Sequence, residues 1–362
     1  MGLLKGSFSF MQFEVEGRLP PDFNTFINNR MKANSFRETR NTAEEKRLGW
    51  VSLTDILDTD FENANYALGD YLIFSLRVDR KVIPPKLLTL KLMEEQRRVL
   101  AASGQTRLGK QTNENIKEKI RMELLTKSEP VPSFYDVCWA VGQNKVYFSS
   151  LAEKVADDFV DLFKKSFSLG LKRIVPQEHP LAQKSKAEGT VPAEELPLIG
   201  REFVTWLWYK SEERNGRISL TRGEEVELHL LKRIALEAGE GEYAQGVVCS
   251  GLHAELTEGK EAIRRGKKVK ETGMKMLRDQ SEWEFNFKAD TFFYQSMKMP
   301  VADWRDQPED PAAGLLERIY LIENAVKTMD HLFESFLTLR LSAEWTQTEK
   351  PLLAKWLKKE QG

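Results

Sequence analysis

Apolar positions along the chain recur in two rhythms, every second residue and every third or fourth, and the alternation between them marks out the elements. Phe8, Phe10, Phe13 and Val15 predict an N-terminal strand, with a slip of alternation at Met11 that suggests a bulge. Pro20-Pro21-Asp22 then opens a helix whose Phe23, Phe26, Ile27 and Met31 share a face. Burying such side chains contributes about 1.5–3 kcal/mol each, so this stripe is expected in a core. Leu48-Gly49-Trp50-Val51 reads as a short strand, followed by a polar acidic loop and the apolar strand Tyr71–Leu76. Beyond the break at Pro84-Pro85 two helices are predicted, about Lys86–Ala102 and Thr112–Lys127. Leu87, Leu88, Leu90, Leu92, Met93 and Leu100 give the first an apolar stripe; Ile116, Ile120 and Leu124 give the second one.

The rhythm then returns to strands. Phe134–Val141 and Lys145–Ser149 flank Gly142-Gln143-Asn144 as a hairpin would. An amphipathic helix, about Ala152–Leu169, carries Val155, Phe159, Leu162, Phe163 and Phe167 on one side and is expected to end on Gly170 as C-cap. Leu171–Val175 predicts a short strand. Pro176–Pro197, with four prolines, reads as a linker or crossing loop. Phe203–Tyr209 predicts a helix start, and strands are expected at about Val226–Leu236, Gly246–Leu256, Val269–Leu277, Trp283–Ala289 and Thr291–Met297. The alternation Trp283, Phe285, Phe287, Ala289 is the clearest period-two signal in the chain. Pro300–Pro311 is expected as a loop, and a long helix, about Ala313–Leu341, closes the pattern. Strands mixed with helices in this order predict an α+β fold with mixed or antiparallel sheets and long amphipathic helices, rather than a doubly wound parallel sheet.

Charge changes this picture at one place. The 362 residues carry a formal charge of only −1, but the stretch around the two charged helices is locally basic. Arg77, Arg80, Lys81, Lys86, Lys91, Arg97, Arg98, Lys117, Lys119 and Arg121 lie there, opposed by Asp79, Glu94, Glu95, Glu114, Glu118 and Glu123. A solvated helix pair accounts for this about as well as a polyanion-binding face does. A second basic run, Ile263–Lys270, is expected near a helix end. No run is long enough to span a bilayer, and Cys138 and Cys249 are expected as buried, reduced thiols of a cytoplasmic protein.

Catalytic patterns are missing. His179, His229, His253 and His331 fall into no metal-ligand spacing, and there is no phosphate-binding loop or nucleophile elbow. Carboxylates cluster at Asp55, Asp58 and Asp60, at Asp157, Asp158 and Asp161, and at Asp303, Asp306, Glu309 and Asp310. Each reads as solvated surface rather than as a two-metal site. No enzymatic activity, metal or cofactor is expected.

The residues quoted, taken in order, resemble the RdgC family of bacterial recombination-associated proteins. The resemblance runs through Gly49-Trp50-Val51, the turn Arg80–Pro84 before the charged helices, Trp139, Leu169-Gly170 and Ile174-Val175-Pro176. It continues through Ala254–Glu258, Gly266–Val269 and the strand pair around Trp283 and Thr291. It implies a multi-region subunit, two of which close into a ring around double-stranded DNA, bound without sequence preference, limiting RecA loading and strand exchange. It places 86–127 as a protruding helical tip and loosely aligns Phe134 with an aromatic of the family's dimer contact. Where some members have consecutive basic residues before Ala254, this chain reads Cys249–His253, which shifts the expected DNA contacts to Arg264, Arg265, Lys267, Lys268 and Lys270. The expected organisation is an N-terminal region of 1–85 and 128–176, the tip at 86–127, a linker at 177–198 and a C-terminal region at 199–362. The expected function is a non-enzymatic, nucleoid-associated homodimer on duplex DNA, with no membrane partner. A metal-dependent DNA exonuclease and a protein-interaction module are the alternatives.

Overall fold

The computed structural model describes residues 2–38, 42–61, 66–213, 215–220, 225–238, 245–250, 257–300 and 310–358. The strands are β1 (Phe8–Glu16), β2 (Lys46–Val51), β3 (Ala67–Leu68), β4 (Tyr71–Arg80), β5 (Val131–Ala140), β6 (Lys145–Phe148), β7 (Gly170–Arg173), β8 (Arg217–Ser219), β9 (Glu225–Ala238), β10 (Gly246–Ser250), β11 (Lys267–Arg278), β12 (Ser281–Lys288) and β13 (Phe293–Lys298). The helices are α1 (Phe23–Ala33), α2 (Pro85–Ser103), α3 (Lys110–Lys127), α4 (Glu153–Phe167), α5 (Pro180–Ala187), α6 (Ile199–Glu213), α7 (Thr257–Arg264), α8 (Pro311–Arg340) and α9 (Lys350–Lys358). The fold is α+β, and paired strands among the described residues run antiparallel. The chain forms two compact units, one of Met1–Glu16, Cys138–Val160 and Leu169–Gly362, the other of Gly17–Val137 and Asp161–Ser168.

In the first unit the strands run in the order β10-β9-β11-β12-β13-β1-β6. Pairing of β1 with β13 (Phe8↔Met297) explains why N-terminal residues belong with the C-terminal strands. The irregularity expected at Met11 falls instead between Phe8 and Phe10. Met11 and Gln12 are both buried there, so alternation fails at Met11 through burial of neighbouring residues and not through a bulge. β11 and β12 join at Asp279-Gln280, both left-handed (φ 47 and 67), the geometry a two-residue hairpin needs. Trp283, Phe285, Phe287 and Ala289 are buried as their alternation predicts. Phe203 of α6 lies 5.0 Å from Phe333 and 5.6 Å from Phe336 of α8, and Phe292 lies 5.1 Å from Phe287, so aromatic rings join helices to sheet.

Two parts of this unit depart from expectation. The segment 177–198 holds a helix, α5, capped where His179 Nδ1 accepts from the Leu181 N–H, with Ala182, Ser185, Val191 and Leu196 buried. Prolines there start turns and a helix instead of spacing a linker. Beyond α8, a π-helical turn (Trp345–Glu349) and α9 pack back on α6, where Trp206 donates to Glu349 (2.8 Å) and Trp356 to Glu212 (2.7 Å).

The second unit is built on β2 paired with β4 through Trp50↔Leu76. Trp50 is fully buried, T-shaped on Phe74 at 5.1 Å, and donates to Ser166 Oγ (2.8 Å). Its neighbour Gly49 has no room for a side chain, because an added Cβ would lie 2.5 Å from the Phe36 Cα. In α1 only Ile27 and Met31 are buried; Phe23 and Phe26 are half-exposed, and Arg30 covers the Phe26 ring at 5.3 Å. Helix α4 buries all five predicted residues, but Ser168 takes the left-handed turn (φ 57) expected of Gly170, which begins β7.

Candidate nucleic-acid interface

The helical hairpin of the second unit is set by its ends. Pro85 occupies the first turn of α2, where its missing N–H costs nothing. Gly104, left-handed at φ 67, stops the helix with its N–H on Leu100 O. At the other end Ser128 closes α3, its hydroxyl donating to Leu124 O at 2.7 Å. The two stripes behave differently. Helix α3 buries Ile116, Ile120 and Leu125, one residue on from the predicted Leu124, whereas α2 buries none of its residues. Leu87, Leu90 and Met93 are 39%, 53% and 53% exposed.

The cations predicted as one set fall into three groups. Those at the base are structural. The Arg77 side chain is 12% exposed, bonded to Asp79 at 2.8 Å and lying 4.0 Å over the Phe36 ring. Its hydrogen bond to Asp79 raises its pKa further. Arg77 also lies 5.9 Å from the ring of half-buried Phe134, which is where the structure puts the predicted dimer residue. Arg80 is half-buried and has a partner. Lys81 donates to Leu125 O (2.8 Å) and Thr42 O (2.7 Å), so it caps the end of α3.

A second group is exposed but paired. Lys91 bonds Glu94 (2.7 Å) and Arg121 bonds Glu45. Arg98 and Lys119 both bond Oε1 of Glu95, at 2.6 and 2.9 Å, tying α2 to α3. Arg98 first, then Lys119, holds the Glu95 carboxyl down at about 2. The third group is Lys86, Arg97 and Lys117, exposed on the two helices with no ion-pair partner among the described residues.

The basic run of the first unit has fewer free charges. Arg264 and Arg265 both pair with Glu261, at 2.8 and 2.9 Å. Lys267 donates to Gln245 O (2.8 Å), and Lys270 bonds Glu237 (2.9 Å), a carboxylate shared with buried Arg201. Lys268 is half-buried. The structure does place this run at a helix end, with Gly266 (φ 88) turning α7 into β11. The sequence shows Glu95 among the opposing acids but did not single out Glu261 or say which cations either would hold. Glu95 and Glu261 stand three residues before Arg98 and Arg264, a legible spacing, but the Lys119 contact requires the hairpin to close.

A cleft of about 530 Å³ lies in the second unit where Thr126 and Ser128 meet Arg47, Arg77 and Lys81, and its lining mixes these cations with Glu38, Glu44 and Asp79. The acidic groups are dispersed. Asp55 and Asp58 accept backbone N–H groups within their own loop, Asp157 and Asp161 are exposed on α4, and Asp310 caps α8. Asp303, Asp306, Glu309, His253 and Ala254–Leu256 lie outside the described residues. Among the described residues no three His, Cys, Asp or Glu side chains gather as metal ligands, and no helix is long and apolar enough to cross a membrane. Cys138 and Cys249 are buried and unpaired, and burial pushes both thiols up.

Residues 11–185, which include the whole hairpin, match the model of a protein family described as "Putative exonuclease, RdgC". Over that span, a little under half of the chain, the match supports membership of the RdgC family. No curated protein matches the chain. RdgC membership supports a recombination-associated, DNA-related role. It also assigns the hairpin, with its free cations, to the part of the chain that the family shares.

Proposed function

We propose that this chain is a sequence-nonspecific binder of double-stranded DNA that encloses the duplex as a homodimeric ring and modulates homologous recombination by limiting RecA loading and strand exchange. The observation that carries the reading is the outward set Lys86, Arg97 and Lys117, on a hairpin inside the span shared with the RdgC family. Contacts of this kind attract phosphate without reading base edges, so affinity falls by roughly 0.9 log units per phosphate contacted for each log unit of salt. The uncovered row Leu87, Leu90 and Met93 supports association with a second copy, since such a row on a helix is ordinarily covered. A ring lets a few cations act at close range on a chain with almost no net charge. The protein then works on the nucleoid, in the cytoplasm, and without a catalytic step.

Salt-titrated binding of unrelated duplexes tests this. Similar affinities and a linear log–log decline are expected, and absence of binding at low salt overturns it. Sedimentation tests the dimer, and a solitary particle removes the ring. The family's description favours a second reading, an exonuclease. Shortened product from end-labelled duplex with magnesium or manganese would replace the non-enzymatic reading with that one.

A further inference from the structure

We infer that Glu95 is a built-in counter-anion that competes with nucleic-acid phosphate for Arg98 and Lys119, and so limits how tightly the hairpin holds a duplex. The inference rests on the DNA-binding reading above. Its geometry is specific: the two cations are 69% and 59% exposed, while the Glu95 side chain that both contact is only 13% exposed. A recessed carboxylate therefore sits behind two outward positive groups, one from each helix. It cancels one of their two charges where a phosphate would approach. Glu123, paired with Lys127, is the further acidic group that acts on this cluster. Because Glu95 stays ionised at any ordinary pH, only another anion relieves the competition. In the first unit Glu261 also holds two cations, Arg264 and Arg265, but it is itself 41% exposed and both partners follow it on one segment, so no recessed carboxylate stands there.

The test compares the full-length protein with Glu95→Gln and Glu114→Gln, using labelled duplexes of two unrelated sequences across a salt series. Glu114 is exposed on α3, and its replacement removes the same charge without releasing either cation. Glu95→Gln is expected to bind about fivefold more tightly at 0.1 M salt, with a log–log slope steeper by about 0.9, as one added net contact requires. Glu114→Gln is expected to change affinity by less than about twofold, as a single charge outside direct contact does in screening salt. Unchanged or weaker binding by Glu95→Gln, or equal gains from both variants, overturns the inference while leaving the DNA reading intact. Failure of the unaltered protein to bind at low salt overturns both.

Discussion

The hairpin α2–α3 and the turn from α7 into β11 are both rich in Lys and Arg, yet the fold uses them differently. On the hairpin, Lys86, Arg97 and Lys117 face solvent without a carboxylate partner among the described residues. At the α7–β11 turn, Arg264, Arg265 and Lys270 each meet a glutamate and Lys267 a backbone carbonyl. Helix α7 is further anchored by Lys260, buried against Glu212 at 2.6 Å and 4.6 Å from the Trp356 ring. A basic stretch of sequence therefore reports the number of charges, whereas the available charge depends on which acids the fold brings beside them. Exposed pairs contribute little to stability, about 0–1 kcal/mol, but they remove a cation from the set a polyanion meets first.

The comparison breaks most visibly in DNA affinity. Replacing Lys86, Arg97 and Lys117 together by Gln is expected to weaken duplex binding on the order of hundredfold near 0.1 M salt and to flatten the salt slope by about 2.7. Arg264→Gln with Arg265→Gln is expected to change the slope by less than about 0.9, because Glu261 already occupies both groups. Anisotropy titrations decide it. A larger loss from the second pair would reverse the assignment of the two regions.

Stability distinguishes the regions in the opposite sense. Lys260→Met strands Glu212 beside the Trp356 indole, and losing such a charge-assisted bond is expected to cost about 1.5–3 kcal/mol in urea unfolding. Lys81→Met removes the donor from Leu125 O and Thr42 O at the foot of the hairpin and is expected to cost about 1–2 kcal/mol. Its loss should appear as faster amide exchange in the last turn of α3, with α7 unaffected. Exchange that rises uniformly would mean that Lys81 supports the whole unit rather than the hairpin.

How much of this was legible in the sequence follows from what covers each stripe. Helix α4 and strand β12 bury the residues their periodicity marks, because sheet and helix faces of the same chain meet them. Helix α2 has an equally regular stripe and buries none of it; spacing shows that a face is apolar, not whether its own chain covers it. Helix α5 and the turns around it were hidden by prolines that start short elements as readily as they break long ones. The basic residues of the candidate interface were visible by type. Their sorting into structural, paired and free groups depended on long-range partners such as Asp79–Arg77 stacking on Phe36 and the Glu45–Arg121 bond, which no local spacing encodes.

The smallest effect concerns the tie between the two helices. The Glu95 carboxyl, depressed from its ordinary 4.5 to about 2, is favoured in its charged form by folding. A depressed carboxylate stabilises fully above its unfolded value, so the contribution is complete above about pH 4.5 and is lost as pH falls toward 2. A carbon-detected titration of the Glu95 side chain is expected to show a midpoint near 2. Arg98→Gln should raise that midpoint more than Lys119→Gln, because the Arg98 bond is the larger cause. The reverse order would make the interhelical Lys119 contact the principal one, and the hairpin would then be closed by the same carboxylate that restrains its charge.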